Sequence, residues 1–336
     1  MTMTKPAGLL AIEAEMQRQA GDAEASFAAA GEMAARVAAS LRRTGRLVLL
    51  GMGGSHAVGR AVEPHYRALG IDAVALPLSE QLVSPLPLAG RTVLVTSQSG
   101  ESAEVLRWIE EAGVPADGFG LTLEGGSTLA ARLPCFVGVG GSELAFAATR
   151  SLTITFAQHL AIIAALGLDP APALAALRSD PAPSLAPALS AFAGVSSIVT
   201  SGRELRGLAE AIALGLAELS QLPAFALEGG QLRHGPMEML GPHIGVVQFR
   251  AHEPASGLVA ALSASAVAAG SPVVVFDASG EAPIPGATTV AVPAAEGIAA
   301  LFRLLPVAQR FMVDFAASRV PDVGTPRRSA KITRTE

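Results

Sequence analysis

The sequence predicts an α/β protein with two parallel-sheet cores, and three observations carry that prediction. Short apolar runs alternate with helical stretches along most of the chain. The runs are continuously apolar rather than alternating, as strands covered on both faces are. The length of 336 residues, at roughly 150 residues per domain, provides for about two cores. Hydrophobic residues make up 50% of the chain and charged residues 16%, which supplies ample apolar surface to bury and excludes intrinsic disorder over most of its length.

Taken in order, Leu9–Leu41 is alanine-rich with helical spacing and ends at the turn signal Thr44-Gly45, a helical lead-in. Strand-like runs then follow at Leu47–Leu50, Ala73–Leu76, Thr92–Thr96, Phe119–Leu123 and Cys135–Val139. Helices are expected from the Gly51–Ser55 loop to Leu69, over Ala103–Ala112 and over Leu144–Leu166. Asp169–Pro187, with its Asp-Pro and Pro-Ala-Pro repeats, reads as a linker. The alternation then restarts: strand Ser196–Thr200, helix Glu204–Ser220, run Ala224–Leu227, a loop containing His234, strand Ile244–Phe249, helix Gly257–Ala269, strands Val273–Phe276 and Thr288–Val292, and helix Ala295–Ala317. The expected organisation is therefore a lead-in over 1–44, a first α/β domain over 45–168, a linker over 169–190, a second α/β domain over 191–319 and a polar tail over 320–336. On composition alone the tail, with Arg327, Arg328, Lys331 and Arg334, reads as frayed.

Several function classes are disfavoured. Lys plus Arg total 24 against 29 Asp plus Glu, a net charge of -5, so no nucleic-acid partner is expected. Mean hydropathy is high at +0.45, but Leu152–Leu168 carries Thr153, Thr155, Gln158 and His159, and Leu258–Phe276 is cut by serines, Gly270 and Pro272. Neither is an uninterrupted span of about 18 apolar residues, so no membrane partner is expected. No basic stretch leads into an apolar one at the start, which makes the cytoplasm the expected location. The single cysteine, Cys135, lies in an apolar run and reads as a buried strand thiol. No His pair has the i, i+4 spacing of a zinc helix, and His56, His65, His159, His243 and His252 read as structural. No metal and no cofactor are expected.

Two loops carry chemistry. Thr96-Ser97-Gln98-Ser99-Gly100-Glu101-Ser102 leaves an apolar strand and enters a helix, where unpaired backbone N–H groups and the helix dipole favour an anion and small hydroxyls add donors. The same residues read equally well as an ordinary helix cap. No Gly-Lys-Ser/Thr ending is present, which disfavours nucleotide triphosphate hydrolysis. Gly51-Met52-Gly53-Gly54-Ser55 follows another strand and matches the dinucleotide fingerprint only in part. Two serine-bearing loops at the carboxyl ends of neighbouring parallel strands suit one sugar-phosphate crevice.

Thr96–Ser102, the segment Glu228-Gly-Gly-Gln-Leu-Arg-His234-Gly-Pro236 and the tail Pro326-Arg-Arg-Ser-Ala-Lys331 together resemble the sugar isomerase (SIS) family, and most nearly the isomerase half of its glutamine–fructose-6-phosphate aminotransferases. The resemblance implies two doubly wound, flavodoxin-like SIS domains in tandem. It implies that Ser97, Gln98, Ser99 and Ser102 hold the substrate phosphate, with Ser55 matching the serine of the preceding loop. Glu218, sixteen residues before His234, matches the glutamate that moves a proton between C1 and C2 of the open-chain sugar, a task for a positioned carboxylate. His234 matches the histidine that opens the ring, a group suited to proton transfer near neutral pH. In the family it comes from the partner subunit, which implies a homodimer. Lys331 matches the C-terminal lysine that lies over the sugar, so the tail would be an ordered flap.

The sequence departs from those aminotransferases in having Gly215 for a lysine, Ala211 for a glutamate and Ala148 for a serine, in Glu143-Leu-Ala-Phe-Ala-Ala148-Thr-Arg150, and in lacking the glutaminase cysteine. The expected activity is therefore an isomerase/deaminase that converts a 6-phosphorylated amino sugar to ketose 6-phosphate and ammonia. A ketosamine-phosphate deglycase or a simple aldose/ketose phosphate isomerase is the alternative within the fold. A sugar-phosphate sensor without turnover is the alternative from another class.

Overall fold

The computed structural model describes residues 5–334. The chain divides into two compact units. Of the described residues, one unit comprises Ala11–Ala171 with 326–334, and the other comprises Pro172–Thr325 with 5–10.

The first unit contains most of α1 (Ala7–Ala29), then α2 (Gly31–Thr44), β1 (Arg46–Gly51), α3 (Gly53–Ala68), β2 (Asp72–Pro77), α4 (Leu78–Val83), β3 (Thr92–Thr96), α5 (Ala103–Glu111), β4 (Gly118–Thr122), α6 (Thr128–Arg132), β5 (Cys135–Val137) and α7 (Arg150–Ala165). Its five strands are parallel in the order β2-β1-β3-β4-β5, the doubly wound order whose reversal falls between β1 and β3. Val48, Leu50, Val93 and Val95 pack with Val105, Trp108 and Ile109 of α5, while Leu49, on the opposite face, approaches α3 at Gly59. Burial on both faces is why these strands read as continuous apolar runs.

The second unit contains α8 (Ala171–Arg178), α9 (Ala186–Ala191), β6 (Ser197–Ser201), α10 (Arg206–Ser220), β7 (Ala224–Ala226), α11 (Gly229–Arg233), a 3-10 turn (Pro236–Met239), β8 (Ile244–Ala251), α12 (Ser256–Ala268), β9 (Val273–Ala278), β10 (Thr288–Ala291) and α13 (Gly297–Ala317). Its parallel sheet runs β10-β9-β8-β6-β7, the same order as the first when its strands are counted from β6. Val199, Val246, Val273 and Val275 pack with Leu262 and Ala266 of α12. An aromatic cluster includes Phe192 edge-on to Phe311 at 5.5 Å and Phe249 stacked on Phe276 at 5.6 Å.

The short helices α4, α6 and α11 stand where the sequence reading expects no helix, and two longer stretches depart from expectation further. The helix expected over Leu144–Leu166 begins only at Arg150, and Gly138–Thr149 is irregular. The Glu143 carboxylate accepts hydrogen bonds from the backbone N–H groups of Thr149 at 2.9 Å and Ser151 at 3.2 Å, which starts the helix there. The proline-rich stretch expected as a linker carries α8 and α9. Pro172 and Pro187 stand at helix beginnings, where proline costs no hydrogen bond, and Asp169 Oδ1 accepts from the Ala171 N–H at 3.0 Å. No helix among the described residues is long and apolar enough to cross a membrane.

Candidate functional site

Strands β1 and β3 are register partners to their last residues, Gly51 opposite Thr96, so the Gly51–Ser55 and Ser97–Ser102 loops leave the same edge of the sheet side by side. The second loop is tightly built. Ser97 and Ser99 are buried; Ser97 Oγ accepts from the Gly100 N–H at 3.1 Å and Ser99 Oγ from the Glu101 N–H at 3.2 Å. The Gln98 carbonyl accepts from Thr122 Oγ1 at 3.1 Å and from the Leu123 N–H at 3.0 Å. The Glu101 carboxylate accepts from the N–H and hydroxyl of Thr128. Gly100 holds φ +65°, and a Cβ there would stand 2.2 Å from Ser127 Oγ, so glycine is required on both counts. Ser102 is the N-cap of α5 with extended backbone, and its hydroxyl makes no capping hydrogen bond. Ser55 lies in the first turn of α3, followed by His56, whose pKa is lowered by burial and by the nearby Arg60.

The tail from Pro326 belongs to this unit and is held by hydrogen bonds. Lys331 Nζ donates to Glu143 Oε2 at 3.0 Å, and the Thr333 carbonyl accepts from the Ala103 N–H at 3.0 Å, at the first turn of α5. The frayed reading of the tail is therefore corrected. Glu143 itself is buried; burial alone would raise its carboxyl, but the Lys331 ammonium and hydrogen bonds from Ser151 and Thr149 hold it below the ordinary carboxylate range. Ala148, on the same loop, stands beside the first serine loop, its Cβ 3.7 Å from where a Cβ on Gly54 would lie.

Glu218 and His234 lie in the second unit. Glu218 is half-buried in the last turn of α10, and His234 is exposed at the end of α11. The histidine loop is set by Glu228, the N-cap of α11, which accepts from the N–H groups of Gly230 at 2.7 Å and Gln231 at 3.2 Å. Arg203, after β6, pairs with Glu228 at 2.9 Å. Gly215 is buried on α10, and a Cβ there would stand 2.2 Å from Met312 Sδ of α13. A side chain at 215, where the resemblance to the aminotransferases implies a lysine, would therefore have to displace the Met312 side chain, and Ala211 beside it is also buried.

Thus the structure brings Ser55, Ser97, Gln98, Ser99, Ser102 and Lys331 into the first unit and puts Glu218 and His234 in the second. Sequence reasoning quoted Glu143 only as the start of a loop and missed it as the partner of Lys331. Its distance of 188 residues along the chain left no spacing signal. Cys135 is partly buried on β5, and burial pushes its thiol up to about 11, which removes it as a nucleophile. Among the described residues no group of three or more His, Cys, Asp or Glu could hold a metal ion.

No protein-family model matches the chain. Over 232 residues it is 31% identical to the glutamine–fructose-6-phosphate aminotransferase (isomerizing) of Aeropyrum pernix, covering 62% of this chain and 37% of that protein. The chain thus spans little more than a third of the length of that relative. The C-terminal domain of glucosamine-fructose-6-phosphate aminotransferase from Francisella tularensis is similar with a TM-score of 0.80 at 17% identity, over 94% of this chain and 98% of that one. Tagatose-6-phosphate ketose/aldose isomerase from Escherichia coli gives 0.78 at 20% identity, over 97% and 99%. Glucosamine-6-phosphate deaminase from Thermotoga maritima gives 0.67 at 18% identity, over 93% and 99%. The resemblance to sugar isomerase proteins is therefore borne out, in fold along nearly the whole chain and in sequence along 232 residues.

Proposed function

We propose that the chain is a phosphosugar isomerase/deaminase with two SIS-type domains in tandem, acting on a 6-phosphorylated amino sugar such as glucosamine 6-phosphate. The observation that carries this reading is the buried serine loop at the switch point of the first sheet, with the tail lysine fixed in the same unit. The hydroxyls of Ser55, Ser97, Ser99 and Ser102, the Gln98 amide and the N-terminus of α5 hold the phosphate. His234, from the partner subunit of a homodimer, moves the proton that opens the ring. Glu218 takes the C2 proton to give an enolamine and returns it to C1, leaving an imine at C2. Water adds to that imine and ammonia leaves, so that amino sugar phosphate plus water becomes ketose 6-phosphate plus ammonia. Lys331 lies over the sugar.

Glycine at 215 in place of the lysine that the resemblance implies favours nitrogen release over synthesis from glutamine. The solved deaminase to which the chain is similar supports the same reading. A cytoplasmic location accords with it. Incubating the purified protein with glucosamine 6-phosphate is expected to yield ammonia and fructose 6-phosphate in equal amounts, and Glu218→Gln is expected to abolish both while sugar phosphate still binds. Ketose formed with no ammonia from an aldose 6-phosphate alone would instead identify a simple isomerase, as the likeness to the tagatose-6-phosphate isomerase fold allows. Binding with no turnover of either substrate by the parent protein would identify a sensor.

A further inference from the structure

The Lys331 side chain is held by a carboxylate that is itself held by almost everything around it. Glu143 has a fully buried side chain, lodged in the irregular segment between β5 and α7. Besides Lys331 Nζ, its oxygens accept from Thr149 N–H at 2.9 Å and Oγ1 at 3.2 Å, and from Ser151 N–H at 3.2 Å and Oγ at 2.6 Å. Those four donors satisfy lone pairs but bring no positive charge, and a buried anion without a cation is costly. Arg150, the nearest arginine in sequence, is fully buried and committed elsewhere: its guanidinium pairs with Glu15 at 2.5 Å and Asp22 at 3.0 Å. Lys331 is therefore the cation that neutralises Glu143.

The segment carrying Glu143 is fixed from its other side by α1. Glu15 accepts from the Leu144 N–H at 2.9 Å, Ser26 Oγ from the Val139 N–H at 2.8 Å, and Arg18 donates to the Gly140 carbonyl at 2.8 Å. Arg150 donates to the Gly141 carbonyl at 2.7 Å. The carboxylate is thus a rigid fixture, and the tail it holds is attached through Lys331 and through Thr333.

We propose that Glu143 is the positioning residue for Lys331: its buried carboxylate docks the C-terminal tail and fixes the lysine ammonium beside the two serine loops. The proposal rests on the reading that Lys331 acts on the sugar, and it adds the group that sets where Lys331 stands. Because Thr333 takes the Ala103 N–H at the start of α5, docking of the lysine also sets what the end of the serine loop faces.

The test compares Glu143→Gln, Glu143→Asp, Lys331→Met and the double variant Glu143→Gln/Lys331→Met by two readouts. These are steady-state turnover of glucosamine 6-phosphate and hydrogen exchange of residues 326–334 and of the Ala103 amide. Glu143→Gln and Lys331→Met are each expected to lower kcat by about 100-fold with KM within about threefold, as displacement of a group in the site does. The double variant is expected to be no slower than the slower single one, and Glu143→Asp to recover part of the loss. Exchange of the tail and of Ala103 is expected to rise at least about tenfold in both single variants.

Parent-like kcat together with a parent-like protected tail in Glu143→Gln would overturn the proposal, as would losses that multiply in the double variant. If Lys331→Met keeps the parent kcat while Glu143→Gln still frees the tail, docking stands and the role of Lys331 on the sugar fails. Lys331→Met reads tail release even where Glu143→Gln does not fold, and exchange reads docking even where glucosamine 6-phosphate is not turned over.

Discussion

Glu253 lies in the loop after β8, where burial and the neighbouring Glu204 carboxylate push it up to about 8. The unfolded chain releases that proton near pH 4.3. Between about 4.3 and 8 the folded form therefore holds a proton that the unfolded form has lost, and stability falls as pH rises through this window. Glu253→Gln is expected to raise the unfolding midpoint at pH 9 and to leave it unchanged at pH 4, where both states carry the proton. An equal shift at both pH values would count against the assignment. His159 presents the opposite sign. It is fully buried on α7, hydrogen-bonded through Nδ1 to the Tyr66 hydroxyl at 2.9 Å, and lowered to about 3 by burial. Between about 3 and 6.5 only the unfolded chain binds the proton, so stability is lost as pH falls through that range. Tyr66→Phe strands the buried imidazole nitrogen and is expected to cost about 1–3 kcal/mol in denaturant unfolding at pH 7. A loss below about 0.5 kcal/mol would mean that the hydrogen bond contributes little net stability.

At the scale of elements, the approach of α10 to α13 decides what Gly215 can become. A lysine side chain at 215 would have to displace Met312, which is itself buried, and overpacking of this kind costs roughly 1–3 kcal/mol. Gly215→Lys is expected to show that loss by thermal unfolding, and Met312→Ala to relieve part of it, so that the double variant loses less than the sum of the singles. Additive losses would show that Met312 is not what closes the position. The strands and most helices were legible in the sequence because their burial on both faces writes itself as apolar runs and helical spacing. The start of α7 and the proline-rich stretch were misread for local reasons. Leu144, Ala145 and Ala147 favour a helix, but the Glu143 carboxylate takes the N–H groups of Thr149 and Ser151 and so fixes the helix start at Arg150. In Asp169-Pro-Ala-Pro172 the signals read as a linker are those of a helix beginning. The serine loop, His234 and Lys331 are marked by their motifs as proposed site residues, whereas the pairing of Glu143 with Lys331 joins residues far apart in sequence and left no pattern.

At the scale of the whole molecule, the two sheets share one strand order, yet the residues proposed for chemistry are divided: phosphate loop and Lys331 in one unit, Glu218 and His234 in the other. His234 is exposed in the single chain, as a residue contributed to a partner's site needs to be. If each site of the proposed homodimer takes Glu218 from one subunit and His234 from its partner, two inactive variants can repair each other. In a mixed dimer of Glu218→Gln and His234→Asn chains, one site inherits both defects. The other takes its glutamate from the His234→Asn chain and its histidine from the Glu218→Gln chain, and is intact. After random exchange of subunits at equal amounts, half of the dimers are mixed and half of their sites work, so about a quarter of the parent activity is expected to return. A site that draws both residues from one chain has a defect in every pairing, and mixing would then restore nothing. Measuring ammonia release from glucosamine 6-phosphate before and after co-refolding the two variants reads the difference directly. Parent-like sedimentation of the mixture as dimers shows that exchange produced the assembly being tested.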